Sequence, residues 1–189
     1  MPETVDKRTV SPSVPLESLA SLSAGSRRLL DPAMNAWEFL ERLRSENLLQ
    51  DAVLVLTHVL PRPYAIAWAC ECWQAARADA ESDPAESSAI AATRRWLAEP
   101  TEENRRAALE LADRLGYSNS AALLAAAAGW SGGSMLPPDL PASPPSAGMS
   151  GQAVKAAVLL AAAADPARFD DMLKLFVDNA VSTFAPSPK

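Results

Sequence analysis

From residue 31 onward the apolar positions recur at helical spacing, broken at intervals by capping and helix-ending residues. Asp31-Pro32 precedes Trp37, Leu40 and Leu43 and predicts a helix over 32–46. In 48–60, Leu49, Ala52, Val53, Leu56 and Leu60 share a face that Leu48, Val55 and Val59 widen, so this helix is expected to be covered on most sides and central. Pro61 and Pro63 end it, and a third helix follows at 63–79 with Ala65, Trp68, Ala69, Cys72 and Ala76 on one face and Ile66, Cys70 and Trp73 on another. Asp83-Pro84-Ala85-Glu86 reads as a capping box opening a helix that carries Ile90, Trp96 and Leu97 and stops before Pro100. Thr101 caps the next, with Ala108, Leu111, Ala112 and Leu115 as its core face and Gly116 past its end.

Ser118 or Ser120 starts a short Ala/Leu helix to Ala128. Gly129 to Ser150 then forms a long loop with five prolines and four glycines. Helix resumes near Gly151 with Val154, Ala157, Val158 and Ala161, and Asp165-Pro166 opens a last one bearing Phe169, Met172, Leu173, Phe176 and Ala180. Residues 1–30, with scattered prolines and no sustained apolar period, read as a disordered N-terminal tail whose Ser18 to Leu22 patch docks at most transiently as a short helix. Residues 31–184 read as one helical domain and 185–189 as a C-terminal tail. The expected fold is all-α, a compact bundle of about seven or eight helices with a long Pro/Gly-rich loop.

Composition strengthens the helical assignment. Alanine makes up about a fifth of the 189 residues and aromatics 6%. The net charge of -6 comes mostly from 33–116, where 14 acidic side chains face 9 basic ones, and no basic stripe suggests a nucleic-acid partner. No apolar run is long enough to span a bilayer and no signal-peptide pattern opens the chain, so a cytoplasmic protein is expected. Cys70 and Cys72 lie two apart on a helix and point about 200° from each other, so they do not pair.

Candidate chemistry is sparse. The one histidine, His58, falls near the C-terminal end of its helix, where a polar role beside the helix dipole explains it better than catalysis. Cys70, Cys72 and His58 do not converge on a metal, phosphate-cradling glycine motifs are missing, and the acidic pairs Glu102-Glu103 and Asp170-Asp171 sit in first helical turns. No catalytic residue, cofactor or metal is expected. The pairs Glu102–Arg106 and Glu110–Arg114 read as a solvated face. The segment Trp130, Ser131, Gly132, Gly133, Ser134, Met135 and Leu136 followed by prolines stands apart. Either Trp130 plugs the helix layer and the Pro-rich strand straps across the domain, or the loop meets a partner through Trp130, Ser131, Gly132, Gly133, Met135 and Leu136. Trp37, Trp68, Trp73 and Trp96 read as core.

Three pieces occur together: Pro61 to Cys70, Trp96 to Ala108, and Trp130-Ser131-Gly132-Gly133-Ser134 with its prolines. Over about residues 50–180 the chain resembles an uncharacterised family of small helical bacterial proteins found near type VI secretion effector and PAAR genes. The resemblance carries no catalytic residues. It implies an accessory role, an adaptor or co-chaperone whose partner is a secretion effector, its adaptor or a tip protein. The Trp96 to Thr101 junction is also similar to one in helical immunity proteins, which implies the alternative of a toxin inhibitor.

Overall fold

The computed structural model describes residues 13, 14, 16–77, 83–137 and 139–186, and all regular structure among them is helical. Residue contacts divide the chain into two units, Met1–Pro61 with Ala162–Lys189, and Arg62–Ala161, where the sequence suggests one domain over 31–184.

The first unit holds α1 (Leu16–Ser21), α2 (Ala24–Leu29), α3 (Ala36–Ser45), α4 (Leu49–Val59) and, after a 3-10 turn at Pro166–Arg168, α10 (Phe169–Phe184). The expectation of disorder over 1–30 is corrected for residues 16–30. Ser23 caps α2 by accepting from the Ser26 amide at 3.2 Å, while Asp51 of α4 accepts from the Ser23 amide at 3.3 Å and from the buried Ser26 hydroxyl. Two serines and one distant carboxylate supply the order that apolar periodicity does not, and Leu22 is buried beside them. Residues 1–12 lie outside the described residues.

Helix α3 also begins later than its Asp31-Pro32 signal. Asp31 accepts from the Ala33 amide at 2.9 Å and closes a turn. Asn35 is the cap instead, accepting from the Trp37 and Glu38 amides, and Glu38 accepts from the Asn35 amide at 2.9 Å. The carboxylate three residues after Asn35 completes a capping box; Asp31 has Met34 at that position. Helix α4 is buried on nearly every side and packs against α1, α3 and α10. From α10, Met172, Leu173, Phe176, Val177, Ala180 and Phe184 are buried, and Asp178 accepts from both Nε and Nη2 of Arg44 on α3, at 2.9 and 2.6 Å. Half-buried His58 has Nδ1 3.0 Å from the Leu54 carbonyl, a local bond that occupies this ring nitrogen.

The second unit holds α5 (Arg62–Ala76), α6 (Pro84–Ala98), α7 (Glu102–Arg114), α8 (Ser120–Gly129) and α9 (Met149–Ala162). Helix α8 lies at its centre, against α5, α6 and α7, with nearly all of its small side chains buried. At Gly129 the approach is closest, since a Cβ there would lie 2.7 Å from Leu109 Cβ and 3.0 Å from Leu109 Cα. Asn119 caps α8, accepting from the Ala122 amide at 2.8 Å. That frees the Ser120 hydroxyl to donate to the Ala157 carbonyl of α9 at 2.8 Å, and Ser150 of α9 donates to the Ala127 carbonyl of α8 at the same distance.

Asp83 caps α6 as expected, accepting from the Ala85 amide at 2.9 Å. Glu86 does not complete a capping box. It is buried and pairs with Arg77 at 2.6 Å, and the Arg77 guanidinium lies over the Trp73 ring, 5.2 Å from its centroid. A buried carboxylate is better compensated by a cation than by one amide. Trp68, Trp73 and Trp96 are buried, whereas Trp37 and Trp130 are only half-buried.

Cys70 and Cys72 are buried free thiols, and burial pushes the Cys70 thiol up to about 12 and that of Cys72 well above its ordinary value. Both are therefore expected to stay unreacted with a disulfide reagent such as DTNB at pH 8 in the native protein and to titrate as two thiols in denaturant. Rapid native reaction of either would contradict this burial.

Candidate functional site

Residues 130–148 connect α8 to α9, and arginines hold the described part of this loop, 130–137 and 139–148, from behind. Trp130 ends α8, its amide donating to the Ala126 carbonyl at 2.7 Å, and its ring stacks on Tyr117 at 5.4 Å between centroids and 19° between planes. Tyr117 is turned toward it by Gly116 (φ +60°), the residue expected to end α7, and by its own left-handed backbone (φ +55°). Trp130 therefore forms half of a stacked aromatic pair and does not plug a helix layer.

The anchor is Arg105. At 4% exposure its guanidinium donates through Nη1 to the Gly129 carbonyl, through Nη2 to the Ser134 carbonyl at 2.8 Å, and through Nε and Nη2 to Glu102 at 2.6 and 2.7 Å. One planar fork thus ties the end of α8, the loop and the first turn of α7 together. Arg106 donates to the Leu136 carbonyl at 3.0 Å and pairs with Glu102 at 2.7 Å, and Arg62 donates to the Ser131 carbonyl. Within the loop the Met135 amide donates to the Ser143 carbonyl at 2.8 Å, and the Ser143 amide to Ser134 Oγ at 3.1 Å. Gly133 has φ +63°, and a Cβ there would fall 2.9 Å from both Arg105 Nε and Glu102 Oε2, so this turn requires glycine.

These contacts divide the six residues of the predicted partner site. Trp130, Ser131, Gly132 and Gly133 line one wall of a cavity of about 150 Å³, with Arg62, the Pro144–Gly148 arm and the start of α9 completing it. Met135 and Leu136 are not part of that wall. Met135 is half-buried, and Leu136 is 39% exposed beside Leu140 at 48%.

Arg105 and Arg62 were not singled out by sequence. For Arg105 a signal exists: with Ala108, Leu109 and Ala112 it occupies i, i+3, i+4, i+7, the stripe that α7 buries. The expected core face of Ala108, Leu111, Ala112 and Leu115 is rotated from it, because Leu111 and Leu115 are only half-buried. The Glu102–Arg106 pair forms, yet its carboxylate also holds the buried Arg105, so it is not merely a solvated pair.

Hydrogen bonding to Arg105, with the charges of both arginines, holds the Glu102 carboxyl below its usual value of 4.5. A carboxylate depressed on folding stabilises at pH above its unfolded value, and that contribution is lost as pH falls through the depressed value. Acidification from pH 6 to pH 3 is expected to loosen the loop in wild type, read as lower protection of the Met135 and Ser143 amides once exchange is normalised to the intrinsic rate at each pH, and to change protection less in Glu102→Gln. Trp130→Ala is expected to cost about 1–2 kcal/mol in urea unfolding, the scale of a half-buried stacked ring. A loss of about 3–5 kcal/mol marks a core tryptophan and would contradict this placement.

Among the described residues no group of three or more His, Cys, Asp or Glu is placed to hold a metal, and no helix is long and apolar enough to cross a membrane. A sequence model of a family of unknown function, DUF6931, matches residues 39–184. Comparisons with curated proteins and with solved structures give no match.

Proposed function

Because the chain belongs to the DUF6931 family of unknown function, a membership that brings no activity with it, we propose from its own geometry a non-catalytic protein that binds another protein through the Trp130 loop. The observation that carries this reading is a loop whose backbone is fixed by Arg62, Arg105 and Arg106 while Leu136 and Leu140 stand exposed. A held segment that shows leucine to solvent has already met the loop-ordering part of the entropic cost of docking, which favours association with a partner surface. The resemblance to proteins encoded beside type VI secretion genes supports the finer reading: an adaptor or co-chaperone that helps load an effector, acting in the cytoplasm.

The test is affinity purification of the tagged protein at native expression, followed by mass spectrometry, with wild type compared with Leu136→Asp/Leu140→Asp. Recovery of an effector with its adaptor or a PAAR tip protein, lost in the double variant, is the expected result. A lone toxin domain that the protein neutralises identifies an immunity protein instead, and recovery unaffected by the double variant removes the loop from the reading.

A further inference from the structure

The cavity behind the loop has a chemistry distinct from that of the exposed leucines. Of the residues that line it Arg62 alone carries a charge, in a protein whose net charge is -6. The guanidinium is exposed, and Nη1 is braced on the Ser131 carbonyl, so the cation is oriented and not free to sweep solvent. The remaining lining is small: Gly132, Gly133 and Gly148 bring backbone to the wall, and at Gly132 even an added Cβ would meet open space. Ser150 and Gly151, in the first turn of the 14-residue α9, border the same space and add the amide end of a helix to the field of Arg62. Trp130, Pro144, Pro145 and Ala147 among the lining residues supply its apolar part.

At about 150 Å³ the cavity is smaller than the roughly 300–1,000 Å³ that cofactors and drug-sized ligands occupy. It has room for one short side chain or chain end. A cation and neighbouring amides, with no carboxylate among the lining residues, select an anion of that size, and an apolar wall suits the methylenes that carry it.

We propose that this cavity receives one carboxylate of the partner chain, an Asp or Glu side chain or a C-terminal carboxyl group, paired with Arg62. This rests on the protein-binding reading above and adds the partner's chemistry: an acidic group anchors in the cavity while apolar residues meet Leu136 and Leu140. The two ideas fail separately, since a partner captured through the leucines and indifferent to Arg62 retains the first and removes the second.

The experiment titrates the ¹⁵N-labelled full chain with N-acetyl-L-glutamate at constant ionic strength, following the Trp130 indole and the Gly132 and Gly133 amides by NMR. N-acetyl-L-glutamine N-methylamide, which has no carboxylate, and inorganic phosphate serve as comparison probes. Saturable shifts with the glutamate derivative are expected, about tenfold weaker with the neutral analogue and in Arg62→Gln, the scale of one charge-assisted pair. Arg62→Gln also removes the bond to Ser131, so Ser146→Asp provides a second variant, placing a competing anion at the cavity while leaving Arg62 intact; it too is expected to weaken binding about tenfold. Equal response to the amide, unchanged binding in both variants, or absence of saturable shifts with any probe overturns the proposal. Binding of phosphate without carboxylate overturns it in favour of a phosphorylated ligand.

Discussion

Arg105→Ala is expected to destabilise the second unit by about 2–4 kcal/mol and to release the loop. The change removes a charged donor from the Gly129 and Ser134 carbonyls and both bonds from Glu102. Hydrogen bonds from charged groups contribute about 1.5–3 kcal/mol each, and water recovers part of the loss once the loop opens. Limited proteolysis reads the release. Residues 130–148 contain no Lys or Arg, so chymotrypsin and not trypsin is the useful protease, with new cleavage expected after Trp130 or Met135. Arg105→Lys is expected to recover less than half of the stability, because an ammonium cannot address two carbonyls and a carboxylate in one plane. If the alanine variant keeps wild-type stability and protease resistance, the guanidinium does not hold the loop and the proposed binding surface loses its support.

Phe176→Ala is expected to cost about 3–5 kcal/mol in urea unfolding, the range for deleting a fully enclosed aromatic ring. Phe176 is 1% exposed, and α10 carries it into the unit where α10 packs on α4. Phe176→Leu keeps most of the volume and is expected to lose less than about 1.5 kcal/mol. The two alanine variants are expected to differ under the proposed function: where both remain folded, Arg105→Ala is expected to lose partner binding and Phe176→Ala to keep it. Loss of binding in both, at matched folded fractions, places recognition outside the loop.

Much of the helical layout was legible because the amphipathic pattern and caps are local. Thr101, Asp83 and Gly116 act where spacing places them, and the stripe Met172, Leu173, Phe176 and Ala180 is buried as its period requires. Local rules failed where a distant group decided the outcome. Residues 23–26 are ordered by Asp51, some 25 positions away, and Glu86 leaves its capping box for Arg77. Asp31 yields to Asn35 because only Asn35 has a reciprocal carboxylate.

The candidate loop was visible as an unusual run of Trp, Gly and Pro, but its support was not. An arginine reads as surface until the carbonyls that it will meet are known, and those of Gly129 and Ser134 lie 24 and 29 residues from Arg105. The cavity escaped for a similar reason. Arg62 stands between two prolines in the sequence, and only folding places it beside Ser131.

The serines that join α8 and α9 bear on how nearly featureless helices find their alignment. Alanine presents no large ridge to catch in a groove, so an alanine-rich face such as that of α8 resists axial sliding weakly. Ser120 bonds to Ala157 and Ser150 to Ala127, an antiparallel pairing with one hydroxyl near the start of each helix. A slip of one turn, about 5.4 Å, breaks both bonds together and leaves two buried hydroxyls unmatched. The pair acts as a vernier, with two widely spaced marks that coincide at one setting, so that the loop between the helices is free to change in length without carrying the alignment.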